Sequence, residues 1–309
     1  MRILECSSKG DKRFSALFAR VMVNNKIDTI ENHYQLSKVF LNEDGSFYTA
    51  SSWKDAKGKK PVAFKISGKI LPLRFGKQYY NSLWYKYLKA NKGLEEVLVQ
   101  YDDYNDIFKG KDSFVCQADT IRAYMQDKNG IKYDKENRGL ELYKSCVELF
   151  NLLKGSVNYI IEDEDIFKSY ANILGHQVNC QGKMASGIAK SVAENYPKAY
   201  KEYMRLFMED KSDINKLGKC QIVDCGHKMI ANLFGQRYYG RNKNTVYTQY
   251  DKIEEALVTL KEFAKENNMV VALPFKIGCS LGNGDWDNKV LPRINRAFKD
   301  YYVVIYRYR

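Results

Sequence analysis

A chain of 309 residues exceeds the commonest single-domain size and is long enough for two cores. Its net charge of +13 comes from Lys and Arg spread along the whole length, which suits polyanions such as nucleic acid or nucleotide phosphates, or simply a well-solvated basic surface. Seven scattered Cys without a CxxC pair argue against a disulfide framework, and no apolar run approaches the roughly 18 residues of a membrane span, so a cytoplasmic chain without membrane attachment is expected.

Up to residue 154 the strongest signals are helical. "TIENHYQLSKVF" offers a helix that Asp28 or Thr29 can cap, followed by "YYNSLWYKYLKANKGLEEVLVQY" and "CQADTIRAYMQDK". In "RGLELYKSCVELFNLLKG" Leu142, Cys146, Leu149, Phe150 and Leu153 recur at three- and four-residue steps, as in a closing or linking helix. The stretch "YDDYNDIFKGK" sets Asp102, Asp103 and Asp106 among Tyr101, Tyr104 and Phe108; it reads either as a sugar-and-base site or as a solvated acidic turn.

Beyond Gly155 the pattern changes to short apolar runs, "VNYII", "ILGHQVN", "KCQIVD", "MIANLF", "MVVALPF" and "YYVVIYRYR", alternating with helices near 187–195, 197–208 and 252–266. Pro197 fits a first helical turn, and in "DKIE" Asp251 is the expected N-cap with Glu254 as its capping-box partner. This alternation predicts a layered α/β domain over 155–309, preceded by a mainly helical domain over 1–154. Cys220, Cys225 and His227 in "CQIVDCGH" read as strand and turn rather than a zinc knuckle, and no metal or cofactor is expected.

Two loops carry the chemistry. "HQVNCQGKMASGIA" runs from a strand ending at Asn179, through Gly182, Ala185, Ser186 and Gly187, into a helix; "LPFKIGCSLGNGDW" places Gly278, Ser280, Gly282 and Gly284 after another strand. Small residues let main-chain amides approach a phosphate closely, and two such loops on one sheet can clamp a diphosphate. His176 can shuttle a proton or be a structural imidazole, and Asp285 can act as base or carboxylate, or merely cap the last helix.

Residues 156–309 resemble the macrodomain family, which binds ADP-ribose on a three-layer α/β/α fold with a mixed sheet. The resemblance runs through "EDI" (164–166, where the family usually has Gly-Asp-Ile), the two loops, "ENYPKAY", "LGKCQIV", "IANLF" and "YDKIEEAL". It is most similar to the branch of ADP-ribose-1''-phosphate phosphatases, terminal ADP-ribose glycohydrolases and the DarG macrodomain. The resemblance implies that Asp165, next to Ile166, accepts from the adenine amino group and that Asn179 faces the distal ribose. Gly182, Met184, Ala185, Ser186, Gly187 and Ile188 would wrap the diphosphate, together with Gly278, Cys279, Ser280, Leu281 and Gly282. Gly235-Gln236 stands where glycohydrolases of this branch carry a Lys, which leaves His176 and Asp285 as catalytic candidates.

"TIENHYQLSK" resembles the NADAR motif Thr-x-Glu-x-x-aromatic-Gln-x-x-Lys, and the similarity extends over residues 10–125, with Phe108-Lys109-Gly110 replacing the usual Trp-Gly. That mostly helical family includes N-glycosidases that remove ADP-ribose from guanine, which implies a catalytic role for Glu31, with Asp103 and Asp106 as further acids. The combined expectation is a hydrolase that removes ADP-ribose from modified nucleobases or other macromolecules, reversing DarT-type DNA ADP-ribosylation as an antitoxin or counter-defence factor. The alternatives are an ADP-ribose-1''-phosphate phosphatase and a non-catalytic ADP-ribose reader.

Overall fold

The computed structural model describes residues 1–108, 115–128, 146, 148–209, 212 and 214–308. They divide into two units, Met1–Leu153 and Lys154–Arg309.

In the first unit strand β1 (Ile3–Glu5) pairs in parallel with β8 (Asp103–Asn105). A hairpin joins β2 (Arg20–Val23) to β3 (Lys26–Thr29), its turn made by Asn24 and Asn25, both at positive φ, as a two-residue hairpin turn requires. An antiparallel sheet follows the order β5 (Phe47–Thr49), β4 (Lys38–Leu41), β6 (Ala63–Ile66), β7 (Lys69–Leu71). The longest helix among the described residues of this unit, Arg74–Ala90, buries Phe75, Tyr79, Tyr80, Leu83, Trp84 and Leu88, and Gly76 lies so close to the Phe64 ring of β6 that a Cβ there would sit 2.3 Å from it. The helical reading of this half thus omits its short strands, and "KVF" leaves helix Ile30–Leu36 to start β4. Thr29 is the cap of that helix, accepting from Asn32 N, while Asp28 accepts from Asn32 Nδ2. Lys109, Gly110 and Leu142 lie outside the described residues; 148–153 are helical.

The second unit is a six-stranded mixed sheet. Its order is β11 (Cys220–Asp224), β12 (Met229–Gln236), β10 (Ile173–Asn179), β13 (Val271–Pro274), β14 (Val303–Tyr306) and β9 (Tyr159–Glu162), with only β11 antiparallel to its neighbour. Side chains alternate between two apolar layers. Ile173, Ala231, Leu233, Val271, Leu273, Val303 and Ile305 pack with the helices Tyr250–Glu266 and Leu291–Ala297. Val178 and Phe234 point the other way, against Met184 and Tyr203 beside the helices Gly187–Asn195 and Pro197–Glu209. Burial on both faces is why these strands read as continuous apolar runs. The layering is therefore α/β/α.

Asp251 is not an N-cap. Helix Tyr250–Glu266 begins after Gln249 without a side-chain cap, and the two acids of its first turn reach across to the helix Leu291–Ala297 instead: Asp251 accepts from Arg293 at 2.9 Å and Glu254 from Arg296 at 3.0 and 2.9 Å.

Candidate functional site

The five parallel strands all end at one edge, so the segments after them are neighbours: 163–168 after β9, 180–187 after β10, 237–249 after β12, 275–285 after β13 and 307–308 after β14. In open α/β sheets this carboxyl edge is where ligands sit.

A cavity of about 430 Å³ opens there, lined by Asp165, Ile166, Phe167, Ile188, Pro274, Phe275, Tyr306, Arg307 and Tyr308. Asp165 caps the short turn Ile166–Lys168 by accepting from Phe167 N at 3.0 Å through one oxygen. Arg307 is held by Asp163, with Nε 2.5 Å from Oδ1, and its guanidinium lies 5.5 Å from the Phe275 ring centroid. Asp165, Ile166 and Ile188, candidates from the sequence, line this cavity together with an aromatic wall that was not among the candidates. The signal was the alternation in "YYVVIYRYR", which carries Tyr306 to Tyr308 past the end of a parallel strand.

Next along the edge come the two glycine-bearing loops, which leave adjacent parallel strands. Gly182 (φ 71°) and Gly187 (φ 55°) need the left-handed region, and a Cβ on Gly187 would meet nothing within 4 Å. Ala185, Ser186 and Gly187 are exposed, and the Ser186 hydroxyl makes no capping bond to the helix that follows. That side chain leaves the first-turn amides open to an anion. In the second loop the glycines answer to internal crowding. A Cβ on Gly278 (φ 73°) would lie 2.5 Å from Gln177 Oε1, and one on Gly282 2.4 Å from Thr248 Oγ1. Beneath this loop Gln177 Nε2 donates to Gln236 Oε1 (2.7 Å) and Thr248 Oγ1 (2.9 Å), while Thr248 donates to Gly278 O (2.6 Å). Ser280 and Leu281 are exposed; the Cys279 thiol donates to Ile277 O, and burial pushes its pKa up to about 12.

Four of the candidates have structural roles, which for His176 and Asp285 are alternatives the sequence also offers. His176 is fully buried in β10, with Nε2 2.8 Å from Asn232 Oδ1, and burial lowers its pKa to about 4; it has no access to a ligand. Asn179 donates to Lys183 O (2.6 Å) and accepts from Gln181 N (2.9 Å), so its side chain folds the loop. Met184 is buried beneath the same loop against Val178, Tyr203 and Phe234. Asp285 is exposed but caps the helical turn Trp286–Val290, accepting from Asn288 N (3.1 Å) and Nδ2 (3.0 Å); these bonds hold its carboxyl below the usual range, which makes it a poor base.

In the first unit Glu31 opens helix Ile30–Leu36, half-buried, with Oε1 accepting from Gln35 Nε2 at 2.8 Å. Burial, with smaller electrostatic contributions from Glu31, Cys116 and Asp106, raises the Tyr80 hydroxyl well above its ordinary range; Asp106 accepts from Gln117 Nε2 at 3.1 Å. Asp103 is bound by Arg122 at 2.8 Å, which keeps its carboxyl below the ordinary range, and it lines a separate cavity with Tyr101 and Met125.

Residues 1–147 match the family model described as the DarT1-associated NADAR antitoxin, and residues 176–290 match that of the Macro domain. An ADP-ribose 1''-phosphate phosphatase of Saccharomyces cerevisiae (strain YJM789) is 35% identical over 99 residues, covering 31% of this chain and 55% of that protein. The chain thus spans about half the length of this curated relative. Among solved structures, the macrodomain of Mycobacterium tuberculosis DarG is 26% identical, covering 48% of this chain and 96% of that one with a TM-score of 0.41. The Thermosipho africanus DarTG in complex with ADP-ribose is 24% identical over 48% of this chain and 41% of that one, with a TM-score of 0.40. The chain joins a NADAR-DarT1 antitoxin domain at its N-terminus to a macrodomain at its C-terminus.

Proposed function

We propose that the macrodomain unit binds ADP-ribose and that the chain is an ADP-ribosyl hydrolase that frees ADP-ribose from a modified nucleobase. The observation that carries this reading is the order of features along the carboxyl edge. Aromatic rings and Asp165 stand after β9, β13 and β14, glycine-bearing loops follow β13 and β10, and a further loop follows β12. ADP-ribose has its parts in the same order. Adenine stacks among the rings and donates its amino group to the Asp165 oxygen not used for capping. The diphosphate takes the amides at 185–188, of Gly278 and at 280–282, and the second ribose points toward the β12 side.

Hydrolysis adds water at C1'' of that ribose while the bond to the base breaks with oxocarbenium character, the base leaving with a proton. A carboxylate near C1'' stabilises the cation or activates the water. Within the macrodomain His176 and Asp285 are committed elsewhere; for the N-terminal unit, taken by itself and holding an ADP-ribosylated base of its own, we assign this role to Glu31, steadied by Gln35. The protein would then undo DarT-type DNA ADP-ribosylation as an antitoxin, in keeping with the description of its N-terminal family.

The yeast relative favours a second reading, ADP-ribose-1''-phosphate phosphatase activity. Incubating the full chain with ADP-ribosylated guanine or thymidine oligonucleotides, and separately with ADP-ribose-1''-phosphate, decides between them. Free ADP-ribose released from the oligonucleotide supports the first reading and inorganic phosphate the second. Calorimetry showing tight ADP-ribose binding with neither product would leave a reader, and no heat at millimolar ADP-ribose would end all three.

A further inference from the structure

Around the β12 side of this edge the sequence is free of carboxylates over long intervals, while Asp163, Glu164 and Asp165 stand on the β9 side. No Asp or Glu occurs between Asp165 and Glu194, between Asp224 and Asp251, or between Glu266 and Asp285. Lys183, Arg237, Arg241, Lys243 and Lys276 all lie in these intervals, so the β12 side carries positive charge without a nearby carboxylate in its own segments.

The segment after β12, 237–246, adds aromatic surface. Tyr238 is 47% exposed and Tyr239 52%, and the Arg237 guanidinium lies 4.9 Å from the Tyr238 ring centroid. The loop is fixed in place. Tyr239 N donates to Gln181 Oε1 (3.0 Å) of the first glycine-bearing loop, and Asn283 Nδ2 of the second donates to Asn242 O (2.9 Å) and Thr245 O (2.8 Å). Tyr247 packs behind Gly240 so tightly that a Cβ would lie 2.0 Å from its hydroxyl. Arg241 and Lys243 are exposed on this braced turn.

We propose that the 237–246 loop is the contact surface for a single nucleic-acid strand that carries the ADP-ribose. The inference rests on the reading that the macrodomain holds ADP-ribose, because the β12 side is where the second ribose, and whatever is attached to it, would emerge. Tyr238 and Tyr239 stack on unpaired bases, which a duplex would keep stacked on one another, and Arg241 and Lys243 pair with phosphates. A protein carrier would be met better by a loop of both charges than by 237–246, which carries Arg237, Arg241 and Lys243 and no carboxylate.

The test uses the full chain, a short fluorescent single-stranded oligodeoxynucleotide without modification, and free ADP-ribose as a separate probe. In an anisotropy titration over a salt series, R241E/K243E should bind the oligonucleotide at least about tenfold more weakly, with the salt slope reduced by about two. Tyr239→Ala should weaken the single strand at an unchanged slope. Calorimetry should give the same ADP-ribose affinity in all three proteins, which also reports that the variants fold. Unchanged oligonucleotide affinity and slope in R241E/K243E, with ADP-ribose still bound, overturns the proposed surface. So does a loss confined to an ADP-ribosylated peptide. If the wild-type chain binds no ADP-ribose while the variants still lose the oligonucleotide, the surface stands and the underlying reading of the site falls.

Discussion

His176 Nε2 and Asn232 Oδ1, 2.8 Å apart, belong to residues paired in register on adjacent parallel strands, and the network around them fixes the imidazole tautomer. Gln221 Nε2 donates to the Glu202 carbonyl, which can only accept; Gln221 Oε1 therefore accepts from Asn232 Nδ2, and Asn232 Oδ1 accepts from His176. His176 carries its proton on Nε2, and Nδ1 is a buried lone pair without a partner. Protonating it would bury an uncompensated charge, which is why its pKa falls to about 4.

This makes His176 a stability group with a definite pH signature. Its folded pKa lies below the unfolded value near 6.5, so the unfolded chain takes up the proton first as pH falls. Stability from this residue is complete above about pH 6.5 and is lost toward pH 4, by about 3 kcal/mol. Urea melts across that range should show the loss in the wild type and a reduced slope in His176→Gln, while the rate of ADP-ribose release at neutral pH should stay within a few-fold.

Two glycines at positive φ should respond differently to alanine. Gly278→Ala forces a Cβ onto Gln177 Oε1 and Thr248 Oγ1, which are tied into one network, and should cost about 3 kcal/mol and abolish ADP-ribose binding. Gly187→Ala meets open space and pays only the left-handed backbone penalty, about 1 kcal/mol. Its methyl would still stand between the proposed diphosphate and the helix amides. Weakened ADP-ribose binding in a near-wild-type fold is expected, read by calorimetry beside chemical denaturation.

Lys228 is expected to act on the site without touching it. Its ammonium donates to Ser169 O (2.8 Å), Ser169 Oγ (3.1 Å) and Ala171 O (2.9 Å), fastening the chain just after the turn that Asp165 caps. Lys228→Met removes three bonds and leaves the carbonyls half-buried, at about 2 kcal/mol. ADP-ribose affinity should drop several-fold, whereas Lys228→Arg should restore part of it.

Glu31→Gln keeps an oxygen that can accept from Gln35, so the helix should persist. If the carboxylate serves the reaction, release of ADP-ribose from an ADP-ribosylated guanine oligonucleotide should fall by about 100-fold or more, with little change in melting temperature. A full rate would remove Glu31 from the mechanism.

The legible parts of the sequence were those with a single physical cause. Strand Ile173–Asn179 and, to within its approximate bounds, helix Gly187–Asn195 were legible, because a doubly covered strand is rich in apolar residues and small residues mark its loop. The first half was less legible, since strands of three or four residues such as Phe47–Thr49 are too short for periodicity to register. For His176, open in the sequence between proton shuttle and structural imidazole, the deciding cue was present: in a strand buried on both faces, an imidazole is buried too. Asn179 and Asp285 illustrate a real ambiguity. A short polar side chain at the end of an element bonds equally well to a ligand or to its own backbone, and composition does not distinguish the two.

The macrodomain match ends at residue 290 and begins at 176, yet β9 and β14 lie outside it and complete the sheet. Trimming the protein to those limits would strip away two of six strands and lay bare the hydrogen-bonding groups of β13, inviting aggregation by edge-to-edge pairing. It would also discard Asp165, Tyr306 and Arg307, so a shortened fragment that failed to take up nucleotide would report on where it was cut rather than on what the intact protein recognises.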